Sequence, residues 1–416
     1  MVEFRPVAGF EYDTGVAGDF ADLIAPPYDV IDEALRRKLA SKSPYNIVHI
    51  TLPEARGAAD KYAAAGEILS GWKARGALVR SGPTFYVIEQ RFETAGKTLT
   101  RTGVLGQARL SRWREAGIYP HEVTLPKPKA DRLALYRATK VAPGPSFSLF
   151  EDSGGAVART LEQAKAGAPW RETDGPEGSH DRIWKIAGGS AQRLSELFAN
   201  ERFFIADGHH RYETALAYRD ELARSGALAP DHPANFVLMC AVPFDDPGLV
   251  ILPTHRLLHL EDQADVRAGL EALEAEYELR PVRRPSGSET ARAAIVIYDG
   301  RAAYGLEMKA AAREAFRRAA GEVMSGLNVH EVVQKVLPRF FEDAAGAIDA
   351  EKIGYTHDAA EAERRVDEGE ASAAVILAPV SVRQMAAVAS AGMTMPPKST
   401  YFYPKLPTGV VVKPLE

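Results

Sequence analysis

An apolar segment that passes through a sharp turn directly into a helix limits the folds open to this chain more than any other feature. Phe203 to Ala206 is apolar, Asp207 and Gly208 form the turn, and a helical pattern runs from about His210 to Arg224. A strand that leads through glycine into a helix is typical of α/β domains. The sequence therefore predicts a mixed α/β fold organised around this segment.

The same segment carries residues that suit phosphate binding. The first N–H groups of a helix have no internal acceptor and lie at the positive end of its dipole, so they attract phosphate. Gly208 permits close approach to the backbone, and Arg211 can bind a phosphate through two hydrogen bonds. His209 or His210 can donate hydrogen bonds or move a proton. We therefore predict that Asp207 to Arg211 bind phosphate, with either histidine as a catalytic candidate.

The alternative for this segment is an ordinary capped helix with surface histidines. Positive side chains at the positive end of their own helix cost free energy unless an anion compensates. This placement favours the phosphate site over the simple helix end.

A second group of reactive residues lies between positions 121 and 132. His121 and Glu122 are candidate bases, and Glu122 and Asp131 are candidate metal ligands. Lys127 and Arg132 can neutralise phosphate, so the group contains the parts that phosphoryl transfer uses. A zinc-protease motif is excluded because no histidine lies three residues after Glu122. The alternative is a charged, solvated loop.

Two shorter patches add further candidates. Asp29 follows the stiff turn Pro26-Pro27-Tyr28, which would present its carboxylate at a fixed angle as a base or metal ligand, or merely as the turn's own acceptor. His255 and Arg256 end an apolar strand, where they add cations to a cleft or form an ordinary strand end. The residues leave both choices open.

The segment from Lys398 to Lys405 combines two lysines, the hydroxyls of Ser399 and Thr400, and three aromatic residues. This combination suits recognition of a phosphate and a flat ring. The alternative is a terminal strand that packs its aromatic side chains. In the functional interpretation, this last segment returns to complete a cleft formed by the first domain.

With 416 residues, the chain is long enough for at least two domains. The composition shifts to Ala, Glu and Arg near position 260, so we predict one domain over residues 1–260 and a smaller one over 261–416. Hydrophobic periodicity also predicts a strand at 46–51, paired strands at 85–92 and 101–110, and a hairpin formed by 236–243 and 249–257.

The amino-acid composition of the chain disfavours several classes of function. The 51 basic and 56 acidic residues give a net charge of −5, which argues against a protein that coats nucleic acid. The single cysteine, Cys240, cannot form an internal disulfide and lies in an apolar run typical of a buried residue. No apolar segment reaches the length that spans a bilayer, and the N-terminus lacks a secretory pattern. We therefore expect a cytoplasmic protein without a membrane partner.

Several common enzyme classes lack their motifs here. The sequence has no Walker loop, no dinucleotide fingerprint and no Gly-x-Ser-x-Gly elbow. P-loop kinases, Rossmann dehydrogenases and serine hydrolases of the usual kinds are thereby disfavoured.

The residues at 207–211 resemble the phosphate-binding box of the ParB/sulfiredoxin superfamily, which includes free-serine kinases. Patches along nearly the whole chain also resemble a bacterial and archaeal family known as domain of unknown function 1015. These patches are 25–30, 121–132, 207–213, 252–256 and 395–405. The resemblance implies a ParB/sulfiredoxin-like N-terminal domain with insertions, followed by a smaller α/β domain.

Together, the residues and the resemblance lead to one functional hypothesis. We expect an enzyme that moves a phosphoryl group between a nucleotide or other phosphate donor and a small metabolite, with Mg²⁺ bridging the phosphates. Similarity to the serine kinases makes serine the first acceptor to test, and water as acceptor would make the protein a phosphatase. The alternatives are a nucleotide-gated, ParB-like DNA-binding or regulatory module, and a nuclease. The net charge disfavours both alternatives.

Overall fold

The computed structural model describes residues 2–55, 60–122, 126–226, 228–284, 293–341 and 350–416, without the side chains of 126–128 and 350. The strands are β1 (Phe4–Arg5), β2 (Phe10–Tyr12), β3 (Leu78–Arg80), β4 (Thr84–Thr94), β5 (Lys97–Arg109), β6 (Ile118–Tyr119), β7 (Val141–Ala142), β8 (Ser146–Phe150), β9 (Arg171–Asp174), β10 (His180–Ala187), β11 (Phe203–Asp207), β12 (Phe236–Pro243), β13 (Val250–Leu252), β14 (His255–Leu258), β15 (Tyr277–Val282), β16 (Ile295–Tyr298), β17 (Ala303–Met308), β18 (Ile353–Thr356), β19 (Ala373–Leu377), β20 (Tyr401–Tyr403) and β21 (Lys413–Pro414). The α-helices are α1 (Thr14–Ala17), α2 (Glu33–Lys42), α3 (Val48–Thr51), α4 (Lys61–Ala74), α5 (Pro126–Thr139), α6 (Ala156–Ala164), α7 (Gly188–Leu197), α8 (His209–Arg224), α9 (Gln263–Leu273), α10 (Ala310–Ser325), α11 (Asn328–Glu331), α12 (Pro338–Phe341), α13 (Ala359–Asp367) and α14 (Val382–Ser390).

The chain divides into two compact units. Unit 1 contains Met1–Pro120, Thr124–Val250 and Pro404–Glu416, and unit 2 contains His121–Val123 and Ile251–Tyr403. Each unit has its own sheet. The mixed α/β class predicted from the sequence is confirmed. No helix within the described ranges is both long enough and apolar enough to cross a membrane.

Unit 1 is organised around a sheet of nine strands. Eight of them follow the order β6-β11-β8-β12-β5-β4-β10-β9, and β1 pairs with β5. The pairings β11 with β6 and β12 with β8 are parallel. The pairings of β11 with β8 and of β12 with β5 are antiparallel, so the sheet is mixed. This order places β11, which carries the predicted phosphate-binding turn, near one edge.

The paired strands predicted at 85–92 and 101–110 are present as β4 and β5, which are longer than expected. Their register continues to the pair Thr94 and Lys97, and the connecting Ala95 and Gly96 both have positive φ. Two successive residues with positive φ match the twist of adjacent strands and close the hairpin tightly.

Two secondary-structure predictions are wrong. The segment 46–51 contains helix α3 instead of a strand, because the Asn46 side chain accepts the backbone N–H of Val48 at 2.9 Å and favours a helical turn. Strands β12 and β13 do not form a hairpin, because β12 is already paired with β5 and β8 on its two sides. Strand β13 instead pairs with β20.

Aromatic rings form much of the core of unit 1. Phe4 packs edge-to-face on Phe198 and Phe203, with ring centroids 4.8 and 5.3 Å apart, and Phe150 packs on Phe198 at 4.9 Å. Burial of such large apolar surfaces is the main force that holds the strands and helices together. The ring of Phe203 therefore fixes the start of β11 in the core.

Three helices of unit 1 pack side by side, with α5 between α4 and α8. The rings of Tyr136 on α5 and Tyr218 on α8 meet edge-to-face at 6.2 Å, and Arg137 pairs with Glu221 at 2.8 Å. This packing places Arg132 of α5 and Arg211 of α8 at the same cavity.

Unit 2 has a six-stranded sheet in the order β15-β17-β16-β19-β14-β18. Each described pairing in it is antiparallel. Its core includes Leu257, Val296, Tyr298 and Ile376, all nearly inaccessible to solvent.

Candidate functional site

The turn between β11 and α8 is the centre of the candidate site in unit 1. Gly208 has φ +81°, a conformation that side-chain-bearing residues adopt at a cost. A Cβ atom at this position would lie 2.9 Å from Cζ of Arg211, which is closer than atoms can pack. Glycine therefore permits both the turn and the position of the Arg211 guanidinium beside it.

The carboxylate of Asp207 is held by two cations. Arg211 donates from Nη2 to Oδ2 of Asp207 at 3.1 Å, and Nζ of Lys405 lies 3.5 Å from the same oxygen. Burial alone would raise the pKa of Asp207, but the charges of Lys405 and Arg211 outweigh it and hold the pKa well below its usual range. Asp207 is therefore ionised at neutral pH.

Both cations are themselves buried, since Arg211 is 8% and Lys405 is 6% exposed. Arg211 also donates to the carbonyl oxygen of Pro145. Burial would lower its pKa, yet the charges of Asp207 and Asp29 raise it above the usual value. Asp29 is exposed and lies in a short 3-10 turn, Tyr28–Val30. The structure thus brings Asp29, Asp207, Arg211 and Lys405 into one electrostatic group.

A cavity adjoins this group and lies wholly within unit 1. It is lined by Pro27, Tyr28, Thr51, Arg132, Leu135, Tyr136, Pro143, Gly144, Arg211 and Thr408. Residues from three of the predicted patches therefore meet at one place.

Arg132 belongs to a second ion-pair group at this cavity. Its Nε donates to Asp131 at 2.8 Å, its Nη1 donates to the carbonyl oxygen of Thr51 at 2.5 Å, and its guanidinium lies 4.2 Å from the ring centroid of Tyr28. Arg132 is 4% exposed, so these contacts replace its lost hydration.

Asp131 is already bonded on several sides. Besides Arg132, it accepts from Nζ of Lys61 at 2.8 Å and from the hydroxyl of Tyr62 at 2.7 Å. Burial would raise its pKa, but these partners together hold the pKa well below its usual range. This environment supports a role in positioning Arg132 and leaves the carboxylate poorly placed to bind a metal.

The two histidines of the turn lie apart from the cavity lining. His209 is buried, and its ring centroid is 6.4 Å from that of Trp113, whereas His210 is half-buried. Neither is among the described residues that line the cavity. Lys127 lies in helix α5, but its side chain is outside the described part of the chain.

A second cluster of predicted residues gathers in unit 2. Nε2 of His121 lies 2.9 Å from Oγ1 of Thr400. Oε1 of Glu122 accepts the backbone N–H of Lys398 at 3.3 Å, and Arg256 donates to the carbonyl oxygen of Lys398 at 3.2 Å. Sequence positions about 120 and 400 are thereby joined within unit 2.

Other predicted residues of unit 2 have structural partners. Ser399 donates to the carbonyl oxygen of Pro396 at 2.5 Å. Nδ1 of His255 accepts the backbone N–H of Leu377 at 3.1 Å, and burial lowers the pKa of His255 to about 4. His255 is therefore neutral at pH 7 and contributes no positive charge there. Burial also lowers the pKa of Arg256 to about 10, which leaves it charged at pH 7.

The described residues do not fit a preformed metal centre. Among them, no group of three His, Cys, Asp or Glu side chains is arranged to hold an ion. Mg²⁺ commonly needs only one or two carboxylates together with substrate phosphates. Of the three predicted ligands, Asp131 is bonded to two cations and a phenol, and Glu122 is bonded to the Lys398 backbone, whereas Asp29 is exposed.

Three polar residues of the cavity, among others that line it, were not identified from the sequence. Tyr136 lies four residues after Arg132, on the same face of α5, and this spacing could have indicated it. Thr51 is the last residue of the segment 46–51 that was predicted as a strand, and Thr408 lies outside the named helices and strands. Neither threonine has a local sequence signal, because only the tertiary fold brings it to the arginines.

Comparison with known protein families decides the family of the chain. The sequence model of the family described as "Protein of unknown function (DUF1015)" matches residues 4–332. The chain belongs to this family. A comparison of the DUF1015 sequence with curated proteins gave no match.

Several solved structures are distantly similar to this chain. A conserved hypothetical protein from Pyrococcus furiosus is 15% identical, with a TM-score of 0.35, and the match covers 71% of this DUF1015 chain and 92% of that protein. A free serine kinase in complex with AMP is 11% identical, with a TM-score of 0.34 and coverage of 69% and 83%. SbnI with a C-terminal truncation, from Staphylococcus aureus, is 12% identical, with a TM-score of 0.36 and coverage of 74% and 87%. At these scores, the likenesses carry no argument about ligands.

Proposed function

We propose that this protein binds the phosphate of a nucleotide or phosphorylated metabolite at the β11–α8 turn and moves a phosphoryl group to or from a small metabolite. The observation that supports this proposal is the ionised carboxylate of Asp207 between Arg211 and Lys405 at a glycine turn. Two cations fixed by one carboxylate form a preorganised positive centre.

A preorganised positive centre suits phosphoryl transfer. Negative charge in the transition state is spread over the oxygens of the transferred group, and fixed cations stabilise that charge without reorganisation. Because Asp207 holds Arg211 and Lys405 in place, these side chains need not be ordered when the ligand arrives. The centre therefore fits a ligand whose charge increases during the reaction.

Asp207 itself does not serve as a general base in this proposal. A base works best when its pKa lies near the working pH, and the pKa of Asp207 is held far below that. Asp29 is the candidate for this role in unit 1, since it is exposed and acts electrostatically on Arg211. Glu122, His121, His209 and His210 stay predictions for the proton-transfer steps.

The proposed cofactor and acceptor rest on the sequence. Mg²⁺ would supply positive charge to the phosphates, and Asp29 and Glu122 stay the predicted carboxylates for it. Serine is the first acceptor to test because of the sequence resemblance at residues 207–211. A phosphatase reaction, with water as acceptor, is the second possibility.

The experiment is a survey of donors by ³¹P NMR. The full chain is incubated with nucleotides, pyrophosphate and phosphorylated metabolites, with and without Mg²⁺ and serine. Phosphate transfer to serine or water is the expected result. Absence of turnover with every donor, together with salt-sensitive DNA binding, would instead support the nucleotide-gated module.

Two variants connect any turnover to the proposed site. Arg211→Lys keeps the charge but loses the planar fork, so we expect the rate to fall by about 10²-fold or more. Arg224→Ala on the same helix is the control, because its described bond is to the carbonyl of Asp220 near the helix end. A fully active, folded Arg211→Lys enzyme would show that the reaction takes place elsewhere.

A further inference from the structure

The cavity beside the β11–α8 turn is lined by a threonine whose hydroxyl is buried. Oγ1 of Thr51 is inaccessible to solvent and has no hydrogen-bond partner among the described residues. Thr51 is 3% exposed and lines the cavity. A buried hydroxyl without a partner costs free energy, so an arrangement of this kind points to a polar group that binds there.

The charged residues of the cavity wall are cations. Arg132 and Arg211 both line it, and none of the described lining residues is acidic. Burial raises the pKa of Tyr136 to about 12 even though both arginines act to lower it, so this phenol stays neutral at pH 7. The tyrosine therefore does not cancel the positive charge of the wall.

Both arginines retain hydrogen-bond donors for a ligand. A guanidinium has five N–H groups. In its described hydrogen bonds, Arg211 uses one N–H group of Nη1, which donates to Pro145, and one of Nη2, which donates to Asp207. Each of the three guanidinium nitrogens of Arg132 donates one described hydrogen bond, to Asp131 or to the carbonyl oxygen of Thr51. Each arginine can thus donate further bonds.

The size of the cavity limits the group that it can hold. Its free volume is about 20 Å³, which on this scale corresponds to about one or two water molecules. A planar carboxylate can place both of its oxygens in such a space, whereas a tetrahedral phosphate would leave some of its oxygens outside. The size therefore favours the smaller anion.

We propose that this cavity binds the carboxylate of a small organic acid, with the guanidinium groups of Arg132 and Arg211 and the hydroxyl of Thr51 as donors. The inference deepens the proposed function, on which it rests for one point: Arg211 also borders the phosphate site, so the bound acid would be the phosphoryl acceptor. Binding of the carboxylate itself does not require turnover.

The test compares two ligands of nearly equal shape on the full chain by ligand-observed NMR. Acetate carries the carboxylate, and acetamide is its neutral counterpart. We expect acetate to bind at millimolar concentration or better and acetamide to bind at least tenfold more weakly. Equal binding of the two, or no binding of acetate, would overturn the proposal.

Variants locate the binding. Thr51→Val keeps the shape but removes the donor, so acetate affinity should fall by roughly tenfold. Thr254→Val is the matched control, because the hydroxyl of Thr254 is also buried without a partner in the described part of the chain but lies outside the cavity. Acetate affinity that is unchanged in Thr51→Val, or reduced equally in both variants, would contradict the assignment.

Inorganic phosphate separates this inference from the proposed function. If the two sites are distinct, phosphate binds with saturating acetate present, and Thr51→Val leaves phosphate affinity unchanged. Mutual exclusion of phosphate and acetate, together with weaker phosphate binding by Thr51→Val, would show that the cavity is the phosphate site and would overturn the carboxylate assignment. Acetate binding in a protein that turns over no phosphate donor would support this inference while removing the proposed function.

Discussion

The ammonium group of Lys405 lies 3.5 Å from the carboxylate of Asp207, which also receives a hydrogen bond from Arg211. Asp207 ends a strand of the nine-stranded sheet, and Lys405 lies in the last segment of unit 1. The backbone of Lys405 is fixed as well, since its N–H donates to Glu177 at 2.7 Å. The positive centre therefore depends on segments from separate parts of the chain.

Replacement of Lys405 by methionine should weaken phosphate binding by about tenfold or more. Loss of this charge leaves Asp207 with one strong cation, so the pKa of Asp207 should rise. Stability should also fall, by about 3–5 kcal/mol, because one partner of a buried ion pair is removed. Phosphate titration and urea denaturation measure the two effects. Lys309→Met, at an exposed position, is the control for net charge; a folded Lys405→Met protein with normal phosphate affinity would exclude Lys405 from the site.

Replacement of Gly208 by alanine should remove ligand binding beyond its effect on stability. The positive φ costs about 1–2 kcal/mol for any residue with a Cβ, and the new atom would also displace Arg211. Gly226→Ala is a matched control at the other end of α8, with φ +75° and no atom of the described residues within 4 Å of the added Cβ. We expect comparable losses from the turn conformation in thermal melts, but weaker phosphate binding only in Gly208→Ala. Equal phosphate affinity in both variants would argue against the role of Arg211.

Asp181 should make the protein less stable as the pH rises from about 4 to about 6. It is fully buried in β10, and burial raises its pKa to about 6 from an ordinary value of 3.8. In this window the folded state binds more protons than the unfolded state, so stability falls with pH and stays lower above it. The difference corresponds to about 3 kcal/mol.

Asp181→Asn removes the ionisation while it preserves the shape of the protonated acid. The variant should therefore be more stable than the natural protein at pH 8 and nearly equal to it at pH 4. Urea denaturation at both pH values tests this expectation. A stability difference that does not change with pH would show that Asp181 does not titrate in this range.

Cys240 should react with thiol reagents only when the protein unfolds. It is completely buried in β12, and burial raises the pKa of its thiol to about 12, so almost no thiolate forms at pH 8. Its labelling rate in increasing urea should follow the loss of tertiary structure. Rapid labelling in the absence of denaturant would mean that β12 opens locally.

Local signals predicted the main features of the candidate site. The turn at Asp207 and Gly208 could be read from the sequence because its chemistry lies within a few neighbouring residues. Arg132 and Lys405 were identified by charge in specific patches. Their contacts with Thr51, Asp207 and Glu177 were not, because those contacts form only in the tertiary fold.

The failures have the same origin. Apolar and polar residues alternate over 46–51 as they do in a strand, yet a hydrogen bond to the Asn46 side chain favours a helix there. The expected β12–β13 hairpin had a suitable turn sequence, but distant strands occupy both sides of β12. Hydrophobic periodicity indicates which residues of a strand are buried. It does not indicate which strands will pair with each other.

Unit 1 is built from segments that are not contiguous in the sequence, so the order of synthesis determines when the candidate site can form. The residues of unit 2 leave the ribosome before positions 404–416, and synthesis proceeds at about 5–20 residues per second. At this rate, roughly ten seconds or more separate the synthesis of Asp207 from that of Lys405. The ion pair between Asp207 and Lys405 can therefore form only after translation has passed Lys405.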